Sequence, residues 1–237
     1  MSTQKLIYDG KEKQVFETAA PGEVLIHFKD DITAYDGIKK AEFPGKGALN
    51  CEISSLIFEV LSKEGIRTHF IRKAGERDIL CRKVKMIPVF FIVRNYIAGT
   101  TAAMLGLEDG FKSQNVVYEL KYDNEGLGNP LLNRHHAVAL GLLTYEELDA
   151  TLAEVSRLNE VLVELFTRAG IKLIDYRIEM GRADDGSIIV ADEISPDTSR
   201  MWDAATDEKL DKDRFRFDLG FICDNYRKIL DRLKSVI

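Results

Sequence analysis

Short apolar runs between turn-forming residues predict a β-rich start to the chain. Asp9-Gly10 and Pro21-Gly22 are pairs typical of turns, and the runs around them have the length of strands. The strands predicted in this part cover residues 6–8, 14–17, 24–28, 69–73, 79–85 and 89–93. The strand at 79–85 is expected to end at Met86-Ile87-Pro88, and Pro88 disfavours an ordinary helix there. A boundary between two lobes is therefore expected near residue 86.

Apolar residues recur at helical spacing in three places. Between residues 50 and 64 they follow at steps of three and four, and Gly65 stands where such a helix would end. Thr144 and Glu147 form a capping-box pattern at the start of a long apolar stripe, which Gly170 ends. A last helix is predicted, with one apolar side formed by Phe217, Phe221, Ile222, Tyr226, Ile229, Leu230 and Leu233.

The order of these elements predicts an α+β fold. Strands come first and are followed by strands mixed with helices. We therefore expect a smaller β-rich lobe at residues 1–86 and a larger α/β lobe at 87–237, with a cleft between them.

Composition and charge narrow the class of protein. A chain of 237 residues with 45% hydrophobic and 30% charged residues is ordinary for a folded globular protein. The net charge of -6 disfavours a general binder of nucleic acid or anionic membranes, so any phosphate site must be local. Cys51, Cys81 and Cys223 have neither disulfide nor zinc spacing, and the sequence shows neither a signal peptide nor a stretch able to span a bilayer. A cytoplasmic location is therefore expected.

The most informative segment, residues 171–197, predicts a hairpin that carries two carboxylates. Apolar and charged residues alternate along its first strand, and Asp185-Gly186 is a preferred centre for a two-residue turn. Such a turn places Glu179 directly opposite Asp192, with Cβ atoms about 4.5 to 5.5 Å apart. Two facing carboxylates favour a bound cation, and oxygen ligands without His or Cys favour Mg²⁺. Arg177 shares the charged face and could reach a phosphate or carboxylate beside that ion.

Two other interpretations of this hairpin stay open. Both carboxylates could face solvent and pair with lysine or arginine side chains from elsewhere. A bulge or a three-residue loop at residues 184–186 would shift the pairing by one residue, and Glu179 and Asp192 would then point to opposite faces.

Three further segments are candidate anion sites. Residues 8–13 form a glycine turn with Lys11 and Lys13 at a spacing of two, which could cover a triphosphate or simply be solvated. Residues 94–101 deliver Arg94 from a buried strand and open at a glycine into a helix; a plain strand-to-helix turn is equally compatible. Residues 195–200 form a turn that is expected to hold Arg200 close to Asp192. The four histidines are interpreted as structural or surface residues, and no residues form a nucleophilic catalytic arrangement.

Taken together, the motifs resemble those of the SAICAR synthetase family of purine biosynthesis. They are GKEK at 10–13, GKGALN at 45–50, RNYIAGT at 94–100, LIDYRIEMG at 173–181, ADEISPDTSRMWD at 191–203 and LDKDRFR at 210–216. The resemblance covers essentially the whole chain. It implies a two-lobed fold with the nucleotide in the cleft. It also implies a ligase that joins CAIR, a carboxylated aminoimidazole ribotide, to L-aspartate while converting ATP to ADP and phosphate. The chemistry implied is phosphorylation of the CAIR carboxylate to a carbonyl phosphate, which the aspartate amine then attacks.

The resemblance also implies roles for individual residues. The ATP phosphates would be covered by Gly10, Lys11 and Lys13, and the adenine would meet backbone groups between Val84 and Met86. Glu179 and Asp192 would hold Mg²⁺, with ATP as the co-substrate. The substrate-binding set would be Arg94, Thr100, Arg177, Ser195, Asp197, Arg200, Lys212 and Arg216. Lys13, Arg94, Arg177 and Arg200 would be the catalytic members of these sets.

A homodimer is a further expectation from the family. Small-molecule substrates are the expected partners, rather than nucleic acid or membranes. The sequence departs from the usual family pattern at Thr100 and Arg177, where serine and lysine are usual, and at Asp123 and Asn129, where many members have lysine and aspartate. Lys121 is a candidate substitute for the missing lysine. The alternative functions are a small-molecule kinase-like phosphotransferase and an inactive nucleotide-binding module.

Overall fold

The computed structural model describes residues 5–35 and 37–237. A five-stranded antiparallel sheet occupies the first part of the chain, in the order β1-β2-β3-β7-β6. Its strands are β1 (Leu6–Asp9), β2 (Lys13–Glu17), β3 (Glu23–Phe28), β6 (Phe70–Lys73) and β7 (Asp78–Arg82). A separate hairpin, β4 (Asp31–Ala34) and β5 (Lys39–Glu42), follows β3, and helix α1 (Lys46–Lys63) packs against the sheet.

A second sheet contains six antiparallel strands, in the order β10-β9-β8-β11-β12, and β13 also pairs with β11. The strands are β8 (Lys85–Arg94), β9 (Val117–Tyr122), β10 (Leu131–Leu132), β11 (Ile171–Arg182), β12 (Ile188–Ala191) and β13 (Ser199–Asp203). The remaining helices are α2 (Gly99–Leu105), α3 (Arg134–Ala139), α4 (Tyr145–Arg168), α5 (Asp213–Arg216) and α6 (Ile222–Lys234), with one 3₁₀ turn at Glu125–Leu127. The α+β class predicted from the sequence is confirmed.

The chain does not break at Pro88. Strand β8 runs through the proline without interruption, so the expectation that one strand ends at residues 86–88 and another begins at 89 was wrong. The pairing of β8 with β11 is irregular here, because the register shifts between Glu179 and Gly181. A proline has no N–H to donate to a sheet, and an irregularity in the ladder is where strands tolerate one.

The predicted helices occur, with changes at two ends. Thr144 and Glu147 form the reciprocal capping box of α4 as predicted, and Gly170 follows the helix with a φ of 65°. Helix α1 begins at Lys46, before the predicted start at residue 50. Phe217 and Phe221 were wrongly placed on the apolar side of the last helix: both precede α6 and are 51% and 73% exposed.

The two sheets share one apolar core. Helix α4 packs on β11, and α1 packs on α6, so the helices of the second part also cover the first. The edge strand β12 lies against residues 67–69, where the N–H of His69 donates to the carbonyl of Val190 at 2.8 Å. This contact places the end of β12 beside the first sheet. Within the described ranges, no helix combines the length and apolar character that a bilayer crossing requires.

Candidate active site

The hairpin of β11 and β12 has a different register from the predicted one. Glu179 pairs with Ala191 and Met180 with Val190, because the loop has three residues, 184–186, instead of two. Ala183 and Ser187 close this loop through an N–H to carbonyl bond of 2.9 Å, and Gly186 has a φ of 82°. The expectation that Glu179 lies directly opposite Asp192 was therefore wrong by one residue.

The Asp192 carboxylate nevertheless lies near enough to Glu179 for its charge to raise the pKa of that side chain. Asp192 lies just after the end of β12 and has a φ of 63°, so the alternation of the strand does not extend to it. Its carboxylate forms an ion pair with Lys13, and Glu193 Oε1 lies 2.8 Å from the same ammonium group. Lys13, at the start of β2, therefore joins the first sheet to the end of β12.

Burial and charge perturb this cluster strongly. Burial, and after it the charge of Asp192, raises the pKa of Glu179 to about 8. Burial alone would lower the pKa of Lys13, but the charges of Asp192, Glu193 and Glu179 outweigh it and raise that pKa. Perturbed pKa values of this kind are typical of functional sites.

The cluster offers few ligands for a metal ion. In residues 5–35 and 37–237 no group of three or more His, Cys, Asp or Glu side chains has an arrangement suited to binding a metal. One buried carboxylate oxygen, Glu193 Oε2, has no hydrogen-bond partner in the described part of the chain. A hard cation held by two carboxylates would therefore need water or substrate oxygens to complete its coordination.

His69 contacts the backbone of the cluster rather than its carboxylates. Its Nε2 lies 3.0 Å from the backbone oxygen of Asp192, in the segment that the left-handed conformation of Asp192 bends. Burial lowers the pKa of His69 to about 4, so the imidazole is neutral near pH 7. This agrees with the interpretation of the histidines as structural residues.

The glycine turn before β2 faces the second sheet. The N–H of Gly10 donates to the carbonyl of Lys13 at 2.8 Å, and a Cβ atom at Gly10 would lie 2.7 Å from the Tyr8 ring. Lys11 reaches across to Glu125 Oε1 at 2.7 Å. The structure thus brings Gly10, Lys11 and Lys13 to the side of the first sheet that meets the second.

The segment Val84–Met86 connects the two sheets beside the hairpin. Met86 pairs with Gly181, and a Cβ atom at Gly181 would collide with the Val84 side chain. Only a glycine at position 181 leaves room for this close approach.

A cavity of about 430 Å³ opens on the second sheet, next to the charged cluster around Lys13 and Glu179. The predicted substrate-binding residues that line it are Arg94, Thr100, Arg177, Asp197, Arg200 and Arg216. Ser195 and Lys212 do not line it: the Ser195 hydroxyl accepts the N–H of Asp197 at 3.1 Å, and Lys212 donates to Glu12. Lys121, the candidate substitute for the missing loop lysine, is also in the wall.

Two of the cavity arginines share one carboxylate, which the sequence did not single out. Asp175 Oδ2 accepts from Arg94 Nη1 at 2.7 Å and from Arg200 Nη1 at 2.9 Å. Glu119 holds the other side of Arg94 at 2.8 Å, and Asp213 holds Nε of Arg200 at 2.9 Å. The expectation that Arg200 lies close to Asp192 is therefore wrong, because its ion pairs are with Asp175 and Asp213. The alternation of charges along β11 was the signal for Asp175.

Arg177 stands between the cavity and the carboxylate cluster. Its guanidinium lies over the Phe90 ring at 4.5 Å, and Nη2 is 3.5 Å from Glu179 Oε1. Its Nε atom is buried and has no hydrogen-bond partner among the residues that the structure describes. A buried donor without a partner is unusual and is suited to an acceptor from a ligand.

Asp197 has protein partners as well as a place in the cavity wall. Its carboxylate accepts from Lys46, Asn50 and Tyr226 at 2.5, 2.6 and 2.6 Å. Burial opposes its ionisation, but Lys46 and Lys212 hold the pKa of Asp197 below its ordinary value. Lys46 and Asn50 belong to the GKGALN motif, which was the only signal for them in the sequence.

A lysine and carboxylate cluster beside an arginine-lined cavity is typical of enzymes that transfer phosphoryl groups between small anionic molecules. Comparison with known proteins identifies the family. A profile described as SAICAR synthetase matches residues 6–233. The phosphoribosylaminoimidazole-succinocarboxamide synthase of Clostridium perfringens is 49% identical over 231 residues, which are 98% of each chain. The chain belongs to the SAICAR synthetase family.

Solved structures agree with this assignment. The crystal structure of phosphoribosylaminoimidazole-succinocarboxamide synthase from Ehrlichia chaffeensis matches with a TM-score of 0.95 and 38% identity, covering 98% of this chain and 99% of that one. A SAICAR synthetase in complex with ADP matches with a TM-score of 0.94 and 39% identity over 98% of both chains.

Proposed function

We propose that this chain is an ATP-dependent carbon–nitrogen ligase of purine biosynthesis that joins CAIR to L-aspartate, giving SAICAR, ADP and phosphate. Membership of the SAICAR synthetase family supports the activity. The observation that carries it into the structure is the cavity in which Arg94 and Arg200 share Asp175, beside the buried cluster around Lys13.

The nucleotide is proposed to lie between a lobe at 1–86 and a lobe at 87–237. Gly10, Lys11 and Lys13 cover its phosphates, and backbone groups between Val84 and Met86 meet the adenine. The position of both segments where the two sheets meet supports this assignment. A related SAICAR synthetase, 39% identical, is known in complex with ADP.

CAIR is proposed to occupy the arginine-lined cavity. Its phosphate is held by Arg94, Arg200 and the Thr100 hydroxyl, and its carboxylate is directed towards Arg177. Arg216 lines the same wall, and Ser195, Asp197 and Lys212 belong to the neighbouring turn and helix. Arginine forks suit both groups because they donate two parallel hydrogen bonds.

Glu179 and Asp192 are proposed to hold Mg²⁺. The residues fit this ion, because burial and, after it, the charge of Asp192 raise the pKa of Glu179 to about 8, and a bound cation would favour the ionised carboxylates. The unpartnered Glu193 Oε2 adds a further uncompensated oxygen nearby. When bound, Mg²⁺ would neutralise charge on the phosphates of ATP.

The chemistry proposed for the protein's own residues is positioning and charge stabilisation. Arg177 and Lys13 orient the CAIR carboxylate and the γ-phosphate so that a carboxylate oxygen attacks phosphorus in line and ADP leaves. The aspartate amine then attacks the carbonyl carbon of the resulting carbonyl phosphate, loses a proton and expels phosphate. Donors preorganised around the developing negative charge account for most of the acceleration.

The experiment is a coupled ADP-release assay with CAIR, aspartate and Mg²⁺, repeated with Glu179→Gln and Asp192→Asn. Turnover is expected in the wild type only when aspartate is present, and both variants are expected to lose it. ADP release without aspartate would indicate a phosphotransferase. ATP binding without any turnover would indicate an inactive nucleotide-binding module. Near-normal rates in either variant would contradict the metal assignment.

A cytoplasmic location and a homodimer complete the proposal. Three free cysteines, two of them buried, support a reducing compartment. The homodimer follows from the family resemblance and is tested by light scattering during size-exclusion chromatography.

A further inference from the structure

Glu12 lies inside the turn proposed to cover the ATP phosphates, but its side chain is bound elsewhere. Glu12 Oε1 accepts hydrogen bonds from the N–H of Thr33 at 3.1 Å and from the Thr33 hydroxyl at 3.2 Å. The backbone carbonyl of Glu12 accepts the N–H of Lys29 at 2.9 Å. The carboxylate is therefore fixed to β4 by two donors from one residue.

The same oxygen binds a lysine from the far end of the chain. Lys212 Nζ donates to Glu12 Oε1 at 2.5 Å, across a separation of 200 residues. Lys212 is 7% exposed, and its backbone N–H donates to the carbonyl of Pro196 at 3.1 Å. Its ammonium group is thus held where the glycine turn at residues 8–13 meets the turn at residues 195–198, which the N–H of Thr198 closes on the carbonyl of Ser195.

This ammonium group lies beside the proposed substrate cavity. The charge of Lys212 helps to lower the pKa of the neighbouring Asp197 carboxyl group, which is in the cavity wall. Arg216, one helical turn further along α5, lines the cavity as well. An ammonium group has three N–H donors, and Glu12 uses one of them.

We propose that Glu12 is a positioning residue, which fixes Lys212 so that its remaining donors bind a substrate carboxylate. A lysine head is a point charge on a flexible four-carbon stem, so an anchored carboxylate preorganises it. The carboxylate comes from aspartate or from CAIR. The inference rests on the proposed function and adds to it a residue whose side chain has no role in covering the ATP phosphates.

The test is the effect of Glu12→Gln on the KM for each substrate and on kcat. Glutamine keeps an acceptor for Thr33 and removes the charge that faces Lys212. We expect the KM of one carboxylate substrate to rise about tenfold, with a smaller change in the KM of ATP. A rise for aspartate identifies the amino acid as the group that Lys212 binds, and a rise for CAIR identifies the imidazole carboxylate.

A double-mutant cycle distinguishes positioning from simple stabilisation. In a Lys212→Gln background, Glu12→Gln is expected to change that KM by less than about twofold, because the partner through which it acts is gone. Thr33→Val, which removes one anchoring donor and keeps the charge, is expected to raise the same KM by a smaller factor. It also carries the test if Glu12→Gln does not fold.

Glu17→Gln is the matched control, since Glu17 lies at the end of β2, pairs with Lys5 at 3.5 Å and has a side chain that is 45% exposed. Its kinetic constants are expected to match those of the wild type. Unchanged KM values in Glu12→Gln, or independent effects of Glu12 and Lys212 in the cycle, would overturn the inference and leave the proposed function intact. Absence of wild-type turnover with CAIR, aspartate and ATP would overturn the proposed function itself.

Discussion

Asp175 lies directly opposite Arg200 in the pairing of β11 with β13, and its carboxylate also accepts a hydrogen bond from Arg94 on β8. Asp175 is 4% exposed. One buried carboxylate on the central strand therefore fixes two guanidinium groups, which come from the strands on either side of it. The two arginines of the proposed phosphate site are therefore preorganised by the sheet.

Asp175→Asn is expected to weaken CAIR binding selectively. Asparagine keeps the shape and removes the charge that orients both arginines, so kcat/KM for CAIR should fall about 10- to 100-fold, equivalent to about 1.4 to 2.7 kcal/mol. Steady-state kinetics with each substrate varied in turn measure this effect. The KM for ATP should change little.

Glu119→Gln is the control for this prediction, because Glu119 contacts Arg94 and leaves the Asp175 bridge to Arg200 intact. Its effect on kcat/KM for CAIR should be smaller. An equal loss in both variants, or an equal rise in the KM of every substrate, would show that Asp175 has no specific role at the site.

Gly181→Ala is expected to destabilise the protein through a steric clash. The new methyl group would collide with Val84, and overpacking in a well-packed region typically costs about 1 to 3 kcal/mol. The clash should also displace the segment Val84–Met86 and raise the KM for ATP more than that for CAIR. Urea unfolding and substrate kinetics measure the two effects.

The double variant Gly181→Ala/Val84→Ala checks the cause of that loss. Removing the Val84 methyl groups should recover part of the stability and part of the ATP affinity, since the two side chains compete for one space. Additive damage in the double variant would mean that Gly181 is required for another reason.

The pH dependence of stability should show the contribution of His69. Burial lowers its pKa in the folded chain to about 4, from an ordinary value of 6.5. As pH falls below about 6.5, the unfolded chain takes up a proton that the folded chain does not, so stability is lost until the pH reaches about 4. A difference of about 2.5 pKa units corresponds to about 3 kcal/mol.

Urea unfolding of the wild type and His69→Asn measures this contribution between about pH 7.5 and about pH 4.5. The wild type should be the more stable protein at the upper end, and its advantage should shrink as the pH falls. An advantage that stays constant across the range would show that His69 titrates alike in the folded and unfolded chains.

Sequence patterns predicted the secondary structure correctly where the residues of a single segment determine it. The capping box of Thr144 and Glu147 fixes the start of α4 through bonds within one turn, so the pattern and the structure agree. The hairpin register was missed because the choice between a two-residue and a three-residue loop also depends on the surroundings of β12. These include the contact of Val190 with His69.

The candidate site was predicted less completely, for a physical reason. Glu12, Lys46 and Asp175 lie within the recognised motifs, but the partners of their side chains are 200, 151 and 25 residues away. No local pattern encodes such a pairing. The packing of the first part of the chain against the second brings Glu12 to Lys212 and Lys46 to Asp197, and the pairing of β11 with β13 brings Asp175 to Arg200.

Asp197→Asn should be the most destabilising change at the site. Lys46 is 1% exposed and has Asp197 as its ion-pair partner, so the variant leaves a buried ammonium group without a compensating charge, typically costing about 3 to 5 kcal/mol. Chemical unfolding should show this loss. In Lys46→Met/Asp197→Asn both charges are absent, and part of the lost stability should return, since an apolar side chain of similar length can fill the same space. A double variant that is less stable than Asp197→Asn alone would show that the uncompensated charge of Lys46 is not the cause of the loss.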